Sequence, residues 1–265
     1  IADAFHAKGK KLIVILNIGG PVETTSWRDH ADGILLAWQP GIEAGNSIAD
    51  VLSGVVNPSG KLTATFPVKY EDLPTAKNFP GIPANNPKEV VYEEGIYVGY
   101  RYFNSFGIQP AYPFGYGLSY TTFLYSNIKL SSSSFTGSIK AHVTITNTGK
   151  TPGKEVVQLY LNAPKKNVDK PSEELKGFAK TALLQPGASQ TINFTLTAKD
   201  LASFNTNQSE WIADAGNYVV KIGASSRDIK LTKLFKLAKD IVVEKVNKAL
   251  VPQVVIKELK KQSSL

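Results

Sequence analysis

Between Gly33 and Pro67 the chain packs a strand, two turns and a helix start into one block, and this block constrains the fold more than any other stretch. Gly33-Ile34-Leu35-Leu36-Ala37-Trp38 is an apolar run of strand length that ends before the Pro40-Gly41 turn. From Glu43 to Leu52 the apolar residues Ile48, Val51 and Leu52 share one helical face, and Gly54 stands where a helix would stop. A second turn, Asn57-Pro58-Ser59-Gly60, leads into the alternating Leu62, Ala64 and Phe66, which predict another strand. Upstream, Ile1 to Lys8 reads as the end of a helix stopped by Gly9. Lys11 to Asn17 is a continuous apolar run of the kind that is buried on both faces of a parallel sheet. Gly19-Gly20-Pro21 breaks that run, and a short polar helix is expected to include Trp27 to His30. Strand and helix alternate, so residues 1–70 predict an α/β layer with a mostly parallel sheet. Two strands and the start of a third are too few for a complete sheet. With an opening of Ile1-Ala2-Asp3 and no initiator Met, we read the layer as the last portion of a domain begun in a longer polypeptide.

Residues 71–125 change character. Pro74, Pro80, Pro83, Pro87, Pro110 and Pro113 argue against a regular helix over most of this stretch, and its Tyr-rich composition predicts an aromatic connecting arm. Residues 126–238 alternate like half-buried strands. Ser138 to Asn147, Val156 to Leu161, Thr191 to Leu196 and Asn217 to Gly223 are separated by turn clusters, which predicts two antiparallel sheets face to face. In the basic tail, 239–265, Val242, Val243, Val246, Ala249 and Leu250 predict a weak amphipathic helix ended by Pro252, with the remainder fraying.

Several words carry a more specific signal. Trp38-x-Pro40-Gly41-x-Glu43-x-Gly45, Ala49-Asp50-Val51-Leu52-x-Gly54 and Asn57-Pro58-Ser59-Gly60-Lys61-Leu62 resemble the α/β sandwich domain of family-3 glycoside hydrolases. The stretches Tyr92-Glu93-Glu94-Gly95-Ile96-Tyr97-Val98-Gly99-Tyr100-Arg101-Tyr102-Phe103 and Pro113-Phe114-Gly115-Tyr116-Gly117-Leu118-Ser119-Tyr120-Thr121 resemble the same family. So do Glu173-Glu174-Leu175-Lys176-Gly177-Phe178 and Asp200-Leu201-Ala202-Ser203-Phe204, as parts of its fibronectin-III-like domain. The fold class expected is therefore α/β followed by all-β: a partial α/β sandwich, then an immunoglobulin/fibronectin-III-like antiparallel β-sandwich.

The resemblance implies a retaining β-glycosidase of the β-glucosidase kind, acting on terminal β-linked sugars. Such an enzyme needs two carboxyl groups about 5–5.5 Å apart. In the family the nucleophile is an Asp in a catalytic barrel, inside a Ser-Asp-Trp-like word that does not occur here. The acid/base Glu precedes the strand matched by Lys11 to Asn17, and so would precede Ile1. On this alignment no residue of the chain is assigned a catalytic, cofactor-binding or metal-binding role. The implied partners are an upstream barrel of the same enzyme and an oligosaccharide or β-glucoside substrate, and the implied location is periplasmic or secreted. The alternative is a stand-alone carbohydrate-binding or adhesion module without hydrolytic activity. A third possibility is one product of a nicked enzyme.

Glu43 suits the start of a helix, where the dipole favours negative charge. Glu93 and Glu94 suit an ion pair with Arg101 or a turn cap, and Glu173 and Glu174 surface charge or an anchor to the neighbouring domain. Trp27 and Trp38 could stack on a sugar, but core packing is the simpler role for Trp38. His6, His30 and His142 are scattered, with no carboxylate at ligand spacing. Ser119 lacks the second Gly of a nucleophile elbow, and no Gly-Lys-Ser/Thr follows Gly19-Gly20. Asn193-Phe194-Thr195 and Asn207-Gln208-Ser209 fit the glycosylation pattern, which matters only in a eukaryotic secretory host.

Composition removes other classes. The net charge of +8 comes from basic residues spread along the chain, with local excess at Lys165-Lys166, Lys170 and the tail, and few of them are Arg. That is not a nucleic-acid stripe. No apolar run approaches the roughly 18–20 residues of a membrane span. Zero Cys excludes disulfides and Cys-ligated metal.

Overall fold

The computed structural model describes residues 1–249 and 251–261. Its first part is a short α/β layer: helix α1 (Ala2–His6), strand β1 (Ile13–Leu16), a single helical turn at Arg28–His30, strand β2 (Gly33–Leu36) and helix α2 (Ala44–Ser53). The strands β1 and β2 pair in parallel, Ile13 opposite Gly33 through Leu16 opposite Leu36. Helix α2 ends as its sequence predicts, with Gly54 at φ 81° accepting the left-handed turn that a side chain resists.

Two expectations for this layer fail. Ile13 and Ile15 of β1 are 43% and 42% exposed rather than buried on both faces, because among the described residues β2 is the only strand paired with β1 and one face is left uncovered. Residues 62–66 do not form a strand of the sheet. They run beside residues 111–116 instead, joined by the Phe66–Tyr112 bridge and by Leu62 N–H to the Tyr116 carbonyl, 2.7 Å.

The aromatic stretch that follows holds one short helix, α3 (Tyr100–Phe106), which the prolines around it concealed in the sequence. Gly99 and Gly107, both at positive φ, bracket it. Phe103 and Ser105 are its buried residues and lie on different sides of it, so the helix is covered on more than one side.

The β-sandwich has the predicted form. One sheet has the order β3 (Phe123–Leu130), β4 (Ser138–Asn147), β7 (Ser189–Thr197). The other has the order β11 (Ile229–Leu237), β10 (Gly216–Gly223), β5 (Val156–Asn162), β6 (Glu174–Lys180), and all pairings in both are antiparallel. Alternation fixes which face turns inward. Ile139, Ala141, Val143 and Ile145 of β4 meet Val220, Ile222 and Phe235 of the facing sheet in one buried core. Tyr218, near the start of β10, donates its hydroxyl to the Asp214 carbonyl at 2.8 Å, the tyrosine corner of immunoglobulin-like sandwiches.

A four-residue helix, α4 (Ala198–Leu201), leads into a third sheet of order β12 (Ile241–Lys245), β9 (Glu210–Ala213), β8 (Ser203–Asn205). This corrects the helix expected in the tail. Residues 241–245 are a strand antiparallel to β9, as suits a Val-Val pair whose β-branched side chains prefer extended backbone, and Leu250 lies outside the described residues. Among the described residues, no helix is long and apolar enough to cross a membrane.

Candidate functional site

The polar side chains of the resemblance words converge on the joint between the α/β layer and the sandwich. Asn57, in the turn after α2, is held from three sides. Its amide donates to the Pro152 carbonyl at 3.0 Å, and its oxygen accepts Ser119 Oγ at 2.9 Å and Tyr120 N–H at 2.8 Å. Four residues on, Lys61 Nζ donates to the Gly117 carbonyl at 2.9 Å and pairs with Glu155 at 3.2 Å. Glu155 also accepts the Tyr125 hydroxyl at 2.7 Å. Burial and the neighbouring carboxylate push the Tyr125 phenol far up, so it stays a proton donor. Gly117 has no room for a side chain, since a Cβ there would lie 2.4 Å from the Gly60 carbonyl.

A second set of contacts lays residues 97–116 across the outer face of β5 and its neighbours. Tyr100 packs against Phe114 and edge-on to Tyr160, with ring centroids 4.9 and 5.8 Å away, and its hydroxyl accepts the Leu175 N–H at 2.8 Å. Asn104 donates to Glu173 and to the Ser226 carbonyl, and Glu173 is paired with Lys221. Arg227 Nη2 donates to the carbonyls of Phe103 and Ile108 at 2.9 and 2.7 Å, closing the C-terminal end of α3. Arg28 ties the same stretch to the α/β layer, donating to the Ala111 carbonyl at 3.0 Å with its guanidinium 5.4 Å from the Tyr112 ring centre.

The third set is the loop between β5 and β6. Lys170 and Asp214, both buried, form an ion pair at 2.7 Å, and Asp214 also accepts from Asn167. Burial pushes the Asp214 carboxyl up, but hydrogen bonds from Lys170 and Asn167 outweigh it and hold the group below the ordinary range. Asp169 in the same loop accepts the Tyr97 hydroxyl at 2.6 Å.

Glu43 stands just before α2 and is exposed. Its carboxylate accepts from Asn46 Nδ2 at 2.7 Å and not from a backbone N–H of the helix. Arg101 pairs with Glu174 at 3.3 Å, so the expected partner Glu93 or Glu94 is corrected; the Glu94 carbonyl instead accepts Tyr97 N–H in a turn. Glu173 and Glu174 are anchors rather than surface charge. Trp38, at φ 55°, is partly buried with its ring 6.4 Å from Phe66, and Trp27 donates to the Glu23 carbonyl at 3.1 Å. The sequence placed no carboxylate beside His6, yet Asp32 lies 2.9 Å from it. His142 meets Asn193 across the strands. Among the described residues, no group of three or more His, Asp or Glu side chains is placed to hold a metal ion. Sequence reasoning missed Asn104, Gln158 and Arg227, whose partners lie far along the chain; the glycines at 115 and 117 were the available signal of a close approach.

This joint is made of the words that carried the resemblance, and comparison with known proteins gives the same assignment. Residues 1–100 match the glycosyl hydrolase family 3 C-terminal domain, and residues 155–226 match a fibronectin type III-like domain. The chain belongs to glycosyl hydrolase family 3. The family-3 chain is 44% identical over 264 residues to beta-glucosidase A of Butyrivibrio fibrisolvens, an alignment covering 91% of the chain and 31% of that relative. It is 41% identical over 247 residues to the thermostable beta-glucosidase B of Acetivibrio thermocellus, covering 92% of the chain and 32% of the relative. Among solved structures, beta-glucosidase 3B of Thermotoga neapolitana in complex with alpha-D-glucose aligns with a TM-score of 0.85 and 54% identity over 91% of the chain and 33% of that protein. The family-3 chain thus spans about a third of the length of these relatives.

Proposed function

We propose that the chain is the non-barrel portion of a retaining β-glycosidase that removes terminal β-linked glucose or a related sugar. The observation that carries this reading is the uncovered face of β1, where Ile13 and Ile15 stand about two-fifths exposed in a parallel strand. Parallel sheets are otherwise covered on both faces. An upstream catalytic barrel and the rest of the α/β sheet, docked there, would cover that face and supply both catalytic carboxylates. The names of the relatives and the glucose bound to a structural neighbour support the substrate class.

On this reading the joint is a buttress. It fixes the α/β layer against the sandwich, so that a catalytic loop carried by the layer keeps its place over the barrel. The stakes are large, because misplacement by about 1 Å can lower a rate on the order of a hundredfold. The same reading puts the whole protein in the periplasm or outside the cell. That part rests on the family resemblance alone, and cell fractionation tests it.

The main test uses an aryl β-glucoside. The chain by itself should give no turnover, and adding the separately produced upstream portion of the same protein should restore it. Substantial hydrolysis by the chain alone would overturn the proposal.

A further inference from the structure

The β8–β9–β12 sheet shows an unusual outer face. Glu210 and Ile212 of β9 and Asn205 of β8 are buried and turn to the inner face, while Trp211, between Glu210 and Ile212, turns to the other. On the outer face of an antiparallel sheet polar side chains are the rule. Here Phe204 and Trp211 stand directly opposite one another on β8 and β9, 37% and 42% exposed, with ring centroids 5.4 Å apart. The register sets Glu244 of β12 opposite Trp211 on its other side. Glu244 is exposed and makes no ion pair among the described residues. Two aromatic rings and a free carboxylate thus form one row across three strands, about 10 Å long at the usual spacing between strands.

We propose that this row is a non-catalytic binding face for soluble β-linked glucan chains. The chemistry of the row selects the ligand. A pyranose in the β-linked series presents a face of C–H groups that suits the negative face of an aromatic ring, while its hydroxyls donate to a carboxylate. A protein partner fits poorly, because two half-exposed rings offer far less than the roughly 800 Å² per side of a stable interface. A single-stranded nucleic acid would also stack on the rings, but Glu244 would face its phosphates. The two rings are tilted by 54° and do not make one flat shelf. They match a chain whose successive sugars turn relative to one another, and not the flat surface of crystalline cellulose. The choice of β-linked glucose rests on the function proposed above; the binding face itself rests on the row.

Calorimetric titration of the full chain tests the proposal without any turnover. Cellohexaose and laminarihexaose are the probes, with maltohexaose as the α-linked control. At least one β-linked hexamer should bind with a submillimolar Kd and at least tenfold more tightly than maltohexaose. Trp211→Ala should weaken binding at least tenfold, Phe204→Ala should weaken it severalfold, and Trp211→Phe should stay within about threefold of the parent. Circular dichroism of each variant reports whether the sheet is intact, and Trp211→Phe with Glu244→Gln carries the comparison if Trp211→Ala unfolds; Glu244→Gln should weaken binding severalfold. Absence of binding to both β-linked hexamers overturns the proposal, as does unchanged binding by Trp211→Ala. Sedimentation showing a dimer that Trp211→Ala dissociates overturns it too, by assigning the face to a second copy of the chain. The proposed hydrolysis depends on the upstream portion, so either idea can fail while the other stands.

Discussion

A Cβ at Gly115 would lie 2.1 Å from Oε1 of Gln158, so the 97–116 stretch rests on β5 with no space for a methyl group. Gln158 cannot yield. Its oxygen accepts the Tyr160 hydroxyl at 2.5 Å, and its amide donates to the carbonyls of Gly115 and Ala224 at 3.1 and 2.9 Å. Gly115 also sits at φ 81°. Gly115→Ala therefore adds left-handed strain of about 1–2 kcal/mol to an overpacking term of about 1–3 kcal/mol. A total loss of about 2–5 kcal/mol is expected, read as a lower urea midpoint with faster proteolysis within residues 97–116. A variant as stable as the parent would show that Gln158 can move aside.

Lys61 and Glu155 test the joint from the other side. Both are largely buried, and removing one member of such a pair leaves a charge without its partner, which typically costs about 3–5 kcal/mol. Lys61→Met should show a loss of that order in urea unfolding. Lys61→Met combined with Glu155→Leu should recover part of it, because no lone carboxylate remains beside Tyr125. If the double variant is no more stable than Lys61→Met, the pair is not what holds the two parts together.

Asp214 gives the chain a predictable acid limb. Its folded carboxyl lies below the ordinary Asp range of about 3.9, so the unfolded state binds the proton more readily. The stability it contributes is present above that unfolded value and drains away as pH falls through the folded one. Asp214→Asn should lose about 3–5 kcal/mol at pH 7, since Lys170 then stays buried without its carboxylate. The gap between parent and variant should narrow steadily below about pH 4. Thermal unfolding from pH 7 to pH 2 measures both arms, and a gap that does not depend on pH would remove Asp214 as the cause.

The sequence disclosed the sandwich well and the joint only in outline. Strands such as β4 and β7 were legible because one face is buried and the other wet, which stamps a period of two on the residues. Helix α3 was hidden because Tyr-Arg-Tyr-Phe-Asn-Ser-Phe carries no clean period and sits among prolines; its limits come from two glycines. Nearness in sequence points Arg101 to Glu93 or Glu94, whereas the chain folds Glu174 back onto it. The glycines at 115 and 117 announced a close approach without saying to what. Their partners, Gln158 and the Gly60 carbonyl, are contacts only tertiary structure creates.

The strand β12 yields the sharpest contrast with the sequence reading. An amphipathic tail helix could be removed with little effect on the sandwich, but a strand paired with β9 cannot. Ile241 to Lys245 line up with Ala213 to Glu210, Val246 N–H reaches the Ser209 carbonyl at 2.8 Å, and Ala215 N–H reaches Asp240 at 2.7 Å. At about 1 kcal/mol for each such bond, a chain ending after Ala238 should lose about 3–4 kcal/mol. It should also aggregate, because β9 becomes an open edge. A chain ending after Lys248 keeps the strand and should stay within about 1 kcal/mol of the parent, since among the described residues it gives up scattered contacts such as Leu259 N–H to the Glu93 carbonyl and Lys261 N–H to Asp169. Equal unfolding midpoints for the two truncations would mean that β12 does not hold the third sheet in place.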